Sequence, residues 1–356
     1  MAPVPWFPSV VAASGRYKTF AQVPESEQVR GLQVFHPRYP VIPKVSWRIS
    51  PRLMQLGSRK LVRELHMKQN FSLIDAHFMY PDGVAATFLG QQLNIPVCIT
   101  ARGSDVNLMS KYHLPRRYIQ WAGANAAALI TVSSALKDVL VNLGVPTGKI
   151  TVLRNGVDLE FFRPLDRVVV RDKLGMVGKN IISVGNLVEL KGHNLVIEAL
   201  REMPDITLWI LGGGPEEHRL KKIAVDCAVS DRVNFVGVVP QSELPTYYSA
   251  ADALVLASSR EGWANVLLES MACGTPVIAT AVGGTPEIVT EPAAGIIVNE
   301  RTDRALVHAC QQLFAAYPDR ALTRRFAEAF DWNETSEGQF KLFSDIARDR
   351  PPRGAE

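Results

Sequence analysis

Glu261 and Glu269 stand eight positions apart in the stretch Glu261-Gly262-Trp263-Ala264-Asn265-Val266-Leu267-Leu268-Glu269. An apolar run over residues 253–257 and a Ser258-Ser259-Arg260 turn precede it, so the order reads as strand, loop, helix. In that reading Asn265 caps a helix over residues 266–273 and Gly274 closes it. Glu261 then lies in the loop above the strand end, and Glu269 about one turn into the helix. Carboxylates so placed accept hydrogen bonds from two separate sets of hydroxyls on one extended ligand, while the free amides of the helix start suit a phosphate. A sugar joined to a ribose through a diphosphate carries its groups in that order. Taken alone, such a pair is more often a surface glutamate and a glutamate near a cap.

Other features share the setting. Lys191, in Val184-Gly185-Asn186-Leu187-Val188-Glu189-Leu190-Lys191-Gly192, follows a strand expected over residues 180–184 and would reach phosphate oxygens as a point charge. Leu211-Gly212-Gly213-Gly214-Pro215 ends the next strand in a turn without side chains, where a ligand can approach the backbone. Val282-Gly283-Gly284-Thr285-Pro286-Glu287 is a further turn before a helix start. Gathered at strand ends of one half of the chain, these features favour a nucleotide site.

The elements that must hold them follow from length and pattern. At 356 residues the chain exceeds what one core usually organises, and 47% hydrophobic against 21% charged residues is ordinary globular usage. Short β-branched runs alternate with amphipathic stretches, as in parallel sheets covered by helices. Strands are expected over residues 32–36, 73–77, 96–100, 128–132 and 150–154, then over 180–184, 206–211, 233–236, 253–257, 277–280 and 295–298. The expected fold is α/β: two doubly wound, Rossmann-like domains facing a cleft, residues 1–160 and 161–332. Residues 333–356 would form a terminal helix crossing back to the first domain, with Phe326, Phe330, Phe340, Phe343 and Ile346 on the apolar face of the last helices and a frayed tail from Arg348. Three prolines in the first eight residues read as a loop after a strand that is missing from the first domain.

On the residues from about Ile181 to Val298 the sequence resembles the family 4 glycosyltransferases, retaining enzymes of the GT-B architecture that use nucleotide sugars. Glu261 and Glu269 match that family's E-x7-E motif, whose first glutamate lies beside the donor sugar and whose second binds the ribose hydroxyls. Lys191 matches its diphosphate-binding lysine. Asn186 stands where the family usually has arginine, and Trp263 where phenylalanine is commoner, which keeps an aromatic wall. The resemblance thus implies donor contacts at Glu269, Asn186, Gly212, Gly213, Gly262, Trp263, Ala264, Asn265 and Val266, with Glu261 and Lys191 catalytic. In the first half, Ala76-His77-Phe78-Met79-Tyr80-Pro81-Asp82-Gly83 and Thr100-Ala101-Arg102-Gly103-Ser104-Asp105 are similar to the family's acceptor-side loops. His77 and Arg102 would act in catalysis there, and Asp82 and Asp105 would meet the acceptor; the plainer alternatives are a strand-end histidine and, for Asp105, a helix cap. The family's glycine-rich turn near the diphosphate falls around Ser9, where only Gly15 is at hand.

Breaking a sugar–phosphate bond leaves negative charge on the departing diphosphate, which a pre-placed lysine and helix amides stabilise directly. With same-face attack the leaving phosphate takes the acceptor's proton, so Glu261 positions rather than attacks. The chain has no D-x-D, and turnover without a metal or other cofactor is expected. The activity so implied is transfer of a hexose to a glycan or lipid-linked acceptor in cell-surface polysaccharide synthesis. The alternatives are a non-catalytic nucleotide-sugar binder and a hydrolase or epimerase of the same architecture.

Partners and place follow from charge and cysteine use. Residues 1–165 hold 19 Lys/Arg against 9 Asp/Glu, the rest 20 against 26. The basic half, with the mixed aromatic, apolar and basic run from Trp47 to Arg63, suits an anionic membrane surface, or else is a solvated face. It shows no nucleic-acid recognition motif. Four scattered cysteines and no signal segment fit a cytoplasmic enzyme, working at the inner face of the membrane if the basic run docks there.

Overall fold

A computed structural model describes residues 1–7, 16–41 and 46–348. Ser9, Gly15 and the tail beyond Arg348 lie outside the described residues. The chain divides into two compact units, residues 1–132 with 136–153 and 338–356, and residues 133–135 with 154–337.

In the first unit β1 (Val4–Trp6) is a strand where a loop was expected. β2 (Ser26–Val29) and β3 (Leu32–Phe35) follow as an antiparallel hairpin, and β4 (Arg38–Pro40) pairs in parallel with β1. Proline is tolerated in β1 because the ladder runs through its neighbours: the Val4 amide donates to the Pro37 carbonyl at 2.9 Å, and the Trp6 carbonyl accepts from Val41 at 3.0 Å. Residues 32–36 were expected as a parallel strand. They pair instead across the two-residue turn Arg30-Gly31, both at positive φ (49° and 82°), and the polar run Ser26-Glu27-Gln28 belongs to a β2 that is wholly exposed, unlike a strand buried in a parallel sheet.

The main sheet of this unit is parallel and runs in sequence order: β5 (Ile74–His77), β6 (Val97–Ala101), β7 (Ala128–Thr131) and β8 (Ile150–Val152). Every residue of β6 and β7 is buried. The chain re-enters this unit at Gly338 through the helix Asn333–Arg348, whose Leu342, Phe343 and Ile346 pack on Cys98, Ala128 and Ile130. Phe340, expected on the same face, is 75% exposed.

The second unit carries six parallel strands: β9 (Lys179–Val184), β10 (Ile206–Leu211), β11 (Val233–Gly237), β12 (Ala253–Leu256), β13 (Val277–Thr280) and β14 (Gly295–Val298). Their order is β11-β10-β9-β12-β13-β14. Sequence order therefore reverses between β9 and β12, and at such a switch point an open α/β sheet leaves a crevice at the carboxyl ends of its strands. The chain passes into this unit at Arg154 rather than at 160, because residues 154–157 already bond to it: the Val157 amide donates to Phe330 at 2.8 Å and the Trp263 indole to Asn155 at 3.1 Å. Among the described residues no helix is long and apolar enough to cross a membrane.

Candidate active site

Lys191 and Glu261 meet across the switch point. Lys191 ends the single turn Glu189–Lys191 after β9, and Glu261 lies in the loop after β12. The Lys191 ammonium donates to Glu261 Oε1 at 2.6 Å, and the buried Ser258 hydroxyl donates to the same oxygen at 2.7 Å. Backbone holds the two loops together, with the Ser259 amide donating to the Leu190 carbonyl at 2.8 Å. Gly192 makes the approach feasible: it has φ 69°, and a Cβ there would overlap the Ala257 carbonyl. Gly283 does the same for the next loop, where a Cβ would overlap the Glu261 carbonyl.

Glu269 is the fifth residue of the helix Asn265–Ala272. Its Oε2 accepts from the hydroxyl of the fully buried Tyr248 at 2.8 Å. Burial raises the Glu269 pKa and the Tyr248 hydrogen bond opposes that rise. Asn265 does not cap this helix. It is the first helical residue, its side-chain oxygen accepts from Asn155 at 3.1 Å, and Ala264 at the cap position offers no side-chain acceptor. The first amides are thus left uncapped, as an anion site requires.

Trp263 and Ala264 are buried; the Trp263 ring lies 6.3 Å from Phe330, and its indole is committed to Asn155. Gly262 and Val266 are half-buried beside them. Gly212 and Gly213 join the strand ends, Gly212 donating to the Gly237 carbonyl at 2.7 Å and Gly213 accepting from Leu187 at 3.0 Å. Asn186 is exposed, and its backbone carbonyl faces the ring of buried His193 at 3.3 Å. Glu287, in the turn first read as part of the nucleotide site, serves a helix start instead. It accepts from the amides of Ser134 and Ala135 at 3.1 and 3.0 Å and pairs with Arg154 at 2.8 Å. A cavity of about 330 Å³ is lined by Arg154, Asn155, Glu287, Phe330 and Asp331; the Lys191–Glu261 pair is not part of its lining.

In the first unit the carboxyl ends of β5 and β6 bring His77 and Arg102 together. The Arg102 guanidinium donates to His77 Nδ1 at 2.7 Å, which leaves the Nε2 proton to face Asp75 at 3.1 Å. Asp82 is half-buried; burial pushes its carboxyl up to about 6, Asp105 adds to the rise, and its own backbone amide and His77 oppose it. Asp105 does not face outward. It is buried, accepting from the amides of Met79 (2.5 Å), Gly103 (2.7 Å) and Arg102 (3.1 Å), and so fixes the two loops rather than meeting a ligand.

Two family models match the chain, Glycosyltransferase Family 4 over residues 8–161 and Glycosyl transferases group 1 over residues 172–329. The chain belongs to the family 4 glycosyltransferases. This family member is 29% identical over 251 residues to D-inositol 3-phosphate glycosyltransferase of Xylanimonas cellulosilytica, covering 66% of this chain and 60% of that protein. Against the protein of the same name from Mycobacterium bovis the identity is 29% over 246 residues, with 64% and 51% covered. The chain therefore spans about half to three-fifths of the length of these curated relatives. Among solved structures, sucrose-phosphate synthase from Thermosynechococcus elongatus superposes with a TM-score of 0.77 at 23% identity, over 92% of this chain and 87% of that one. Anabaena HepE in complex with UDP and glucose gives 0.75 at 19% identity, over 96% and 92%. The family 4 chain shares their GT-B fold.

Sequence reasoning missed three members of these constellations. Asp75 had a signal, since it lies two positions before His77 and so on the same face of the strand. Ser258 was part of the turn, without a role. Tyr248 had no local signal, because it reaches Glu269 from the helix Leu244–Ala250, earlier in the chain.

Proposed function

We propose that this chain is a retaining hexosyltransferase that moves sugar from a nucleoside diphosphate donor to a hydroxyl of a glycan or lipid-linked acceptor in cell-surface polysaccharide synthesis. The observation that carries it is the Lys191–Glu261 pair at the switch point, with Ser258 beneath and Glu269 on the adjoining helix. Solved structures of the same fold hold UDP and glucose, which supports a nucleoside diphosphate sugar as donor.

The donor's diphosphate lies over the uncapped helix start and draws the Lys191 ammonium, while Ser258 keeps Glu261 in place to orient the sugar and Glu269 accepts from the ribose. As the bond from the anomeric carbon to the phosphate oxygen breaks, Lys191 and the amides stabilise the charge that develops on the leaving group. That oxygen then takes the proton of the attacking hydroxyl, so no separate carboxylate base is needed. His77, Arg102 and Asp82 of the first unit bind the acceptor. Because protein groups supply the positive charge, a chelator leaves the rate unchanged. Docking on the inner face of the membrane, through the basic face of the helix Ser50–Gln69, brings the enzyme to a lipid-linked acceptor.

The test is incubation with UDP-glucose, ADP-glucose and GDP-mannose in the presence of a membrane lipid extract, following the sugar label. Transfer to lipid or glycan is expected, with Glu261→Gln lowering turnover about 100-fold and Glu269→Gln mainly weakening nucleotide affinity. Free sugar as the sole product would make the chain a hydrolase. Binding without consumption would make it a non-catalytic binder. Wild-type rates in both variants would remove the site assignment.

A further inference from the structure

Tyr248 is the largest fully buried side chain of the second unit. A buried phenol needs a partner for its proton, and this one gives it to Glu269 Oε2 at 2.8 Å. The ring and its backbone are each held. Phe162 meets it edge-on with centroids 6.1 Å apart, and the Tyr248 carbonyl accepts from the Thr275 hydroxyl at 2.5 Å. The phenol is therefore a rigid donor aimed at one oxygen of a half-buried carboxylate. Glu269 Oε1 takes part in no hydrogen bond recorded among the described residues, so the acceptor directions left over by Tyr248 remain for a ligand.

We propose that Tyr248 is a positioning residue for donor recognition: by holding Oε2 it fixes the plane of the Glu269 carboxylate, so that its free acceptor directions meet the vicinal hydroxyls of a ribose. This rests on the donor-site reading above and adds the group that makes Glu269 work. A buried carboxylate without such a donor both rotates and takes up a proton more readily, and each change weakens acceptance from a diol. Of the other charged or titratable groups near Glu269, Cys273, just past the end of its helix, has a thiol that burial pushes up to about 12. Arg320 and Arg324, on the helix Arg320–Ala327, donate to the carbonyls of Ser249, Ala251, Ala272 and Phe162. The strands β12 and β13 carry no titratable side chain.

The experiment is calorimetric titration of the full chain with UDP, ADP, GDP and their 2′-deoxy forms between pH 4 and 8. Affinity for the ribonucleotide should rise with pH as Glu269 ionises. Tyr248→Phe should weaken it about tenfold at neutral pH, move that rise to higher pH, and shrink the preference for ribo- over deoxyribonucleotide. Glu269→Gln should remove the part of the pH dependence that residue 248 moves, leaving only that of the nucleotide's own terminal phosphate. If phenylalanine at 248 prevents folding, 3-fluorotyrosine there, a stronger donor, should move the rise to lower pH. Binding of none of the nucleotides to the native chain overturns the donor-site reading and this inference with it. Binding that Glu269→Gln weakens, but whose pH dependence and ribose preference ignore residue 248, overturns this inference alone.

Discussion

Asp82 shows how a single carboxyl couples stability to function in the first unit. Its folded pKa of about 6 lies above the usual 3.8, with burial the main cause, so the folded state holds the proton more tightly than the unfolded chain. Stability is then full below the unfolded pKa and falls as pH rises towards 6, beyond which the penalty of the buried charge is complete. Asp82→Asn should therefore stabilise the protein at pH 7–8 by on the order of 1–2 kcal/mol and hardly at all at pH 4. It should also slow transfer to acceptor, and denaturant titrations at the two pH values with acceptor kinetics alongside check both effects. Lys191 and Glu261 drew attention by type and by a place just past a strand end, Glu269 by its spacing from Glu261, and His77 and Arg102 by the resemblance of their loops to the family's. Asp105 stood in the same kind of place, yet three backbone amides claim it. One sequence cannot distinguish those cases, since the amides belong to whichever residues the turn brings round.

At the scale of elements, continuous apolar runs made β5 to β14 readable, while the hairpin β2–β3 and the proline-containing β1 were not, since both depend on which partner the backbone finds. The helix starts were the least legible. Asn265 looks like a cap and is not one, and the start of the helix Ser134–Asn142 draws its acceptor from Glu287, far along the chain. Burial alone would raise the Glu287 pKa, but the amides of Ala135 and Ser134 and the Arg154 guanidinium outweigh it and hold the carboxyl below its usual 4.5. A depressed carboxylate contributes stability above its unfolded pKa and loses it as pH falls through the folded value. Glu287→Ala should thus cost about 1–2 kcal/mol at neutral pH. Guanidinium titrations should show the gap to the native chain intact above pH 4.5 and closing below it. A constant gap down to pH 3 would mean that packing, not charge, is lost.

Over the whole molecule the charge is divided, with the basic excess in residues 1–165 and the acidic excess in the remainder. The helix Ser50–Gln69 concentrates the basic side. Its Pro51, Met54, Ser58, Val62 and His66 are buried, and Met54 packs with Tyr39 and Ala85. On the exposed side Arg52, Leu56, Arg59, Lys60, Arg63 and Met67 follow helical spacing, with Leu56 and Met67 51% and 69% exposed. Arg52 stacks over Phe88 at 3.4 Å, whereas Arg59, Lys60 and Arg63 form no ion pair recorded among the described residues. Two apolar side chains among unpaired cations suit a surface that is anionic at its headgroups and apolar beneath, where each basic residue contributes about 1 kcal/mol. Vesicles of phosphatidylglycerol and phosphatidylcholine should then bind the chain more tightly as the anionic fraction rises and less tightly as salt screens it. Replacing Arg59, Lys60 and Arg63 together by glutamine should lower partitioning about 100-fold. Nucleotide affinity should stay unchanged in that variant, because every proposed donor contact belongs to the second unit. Equal binding of the native chain to neutral and anionic vesicles would leave the basic face as solvated surface, and the route to a lipid-linked acceptor would need another origin.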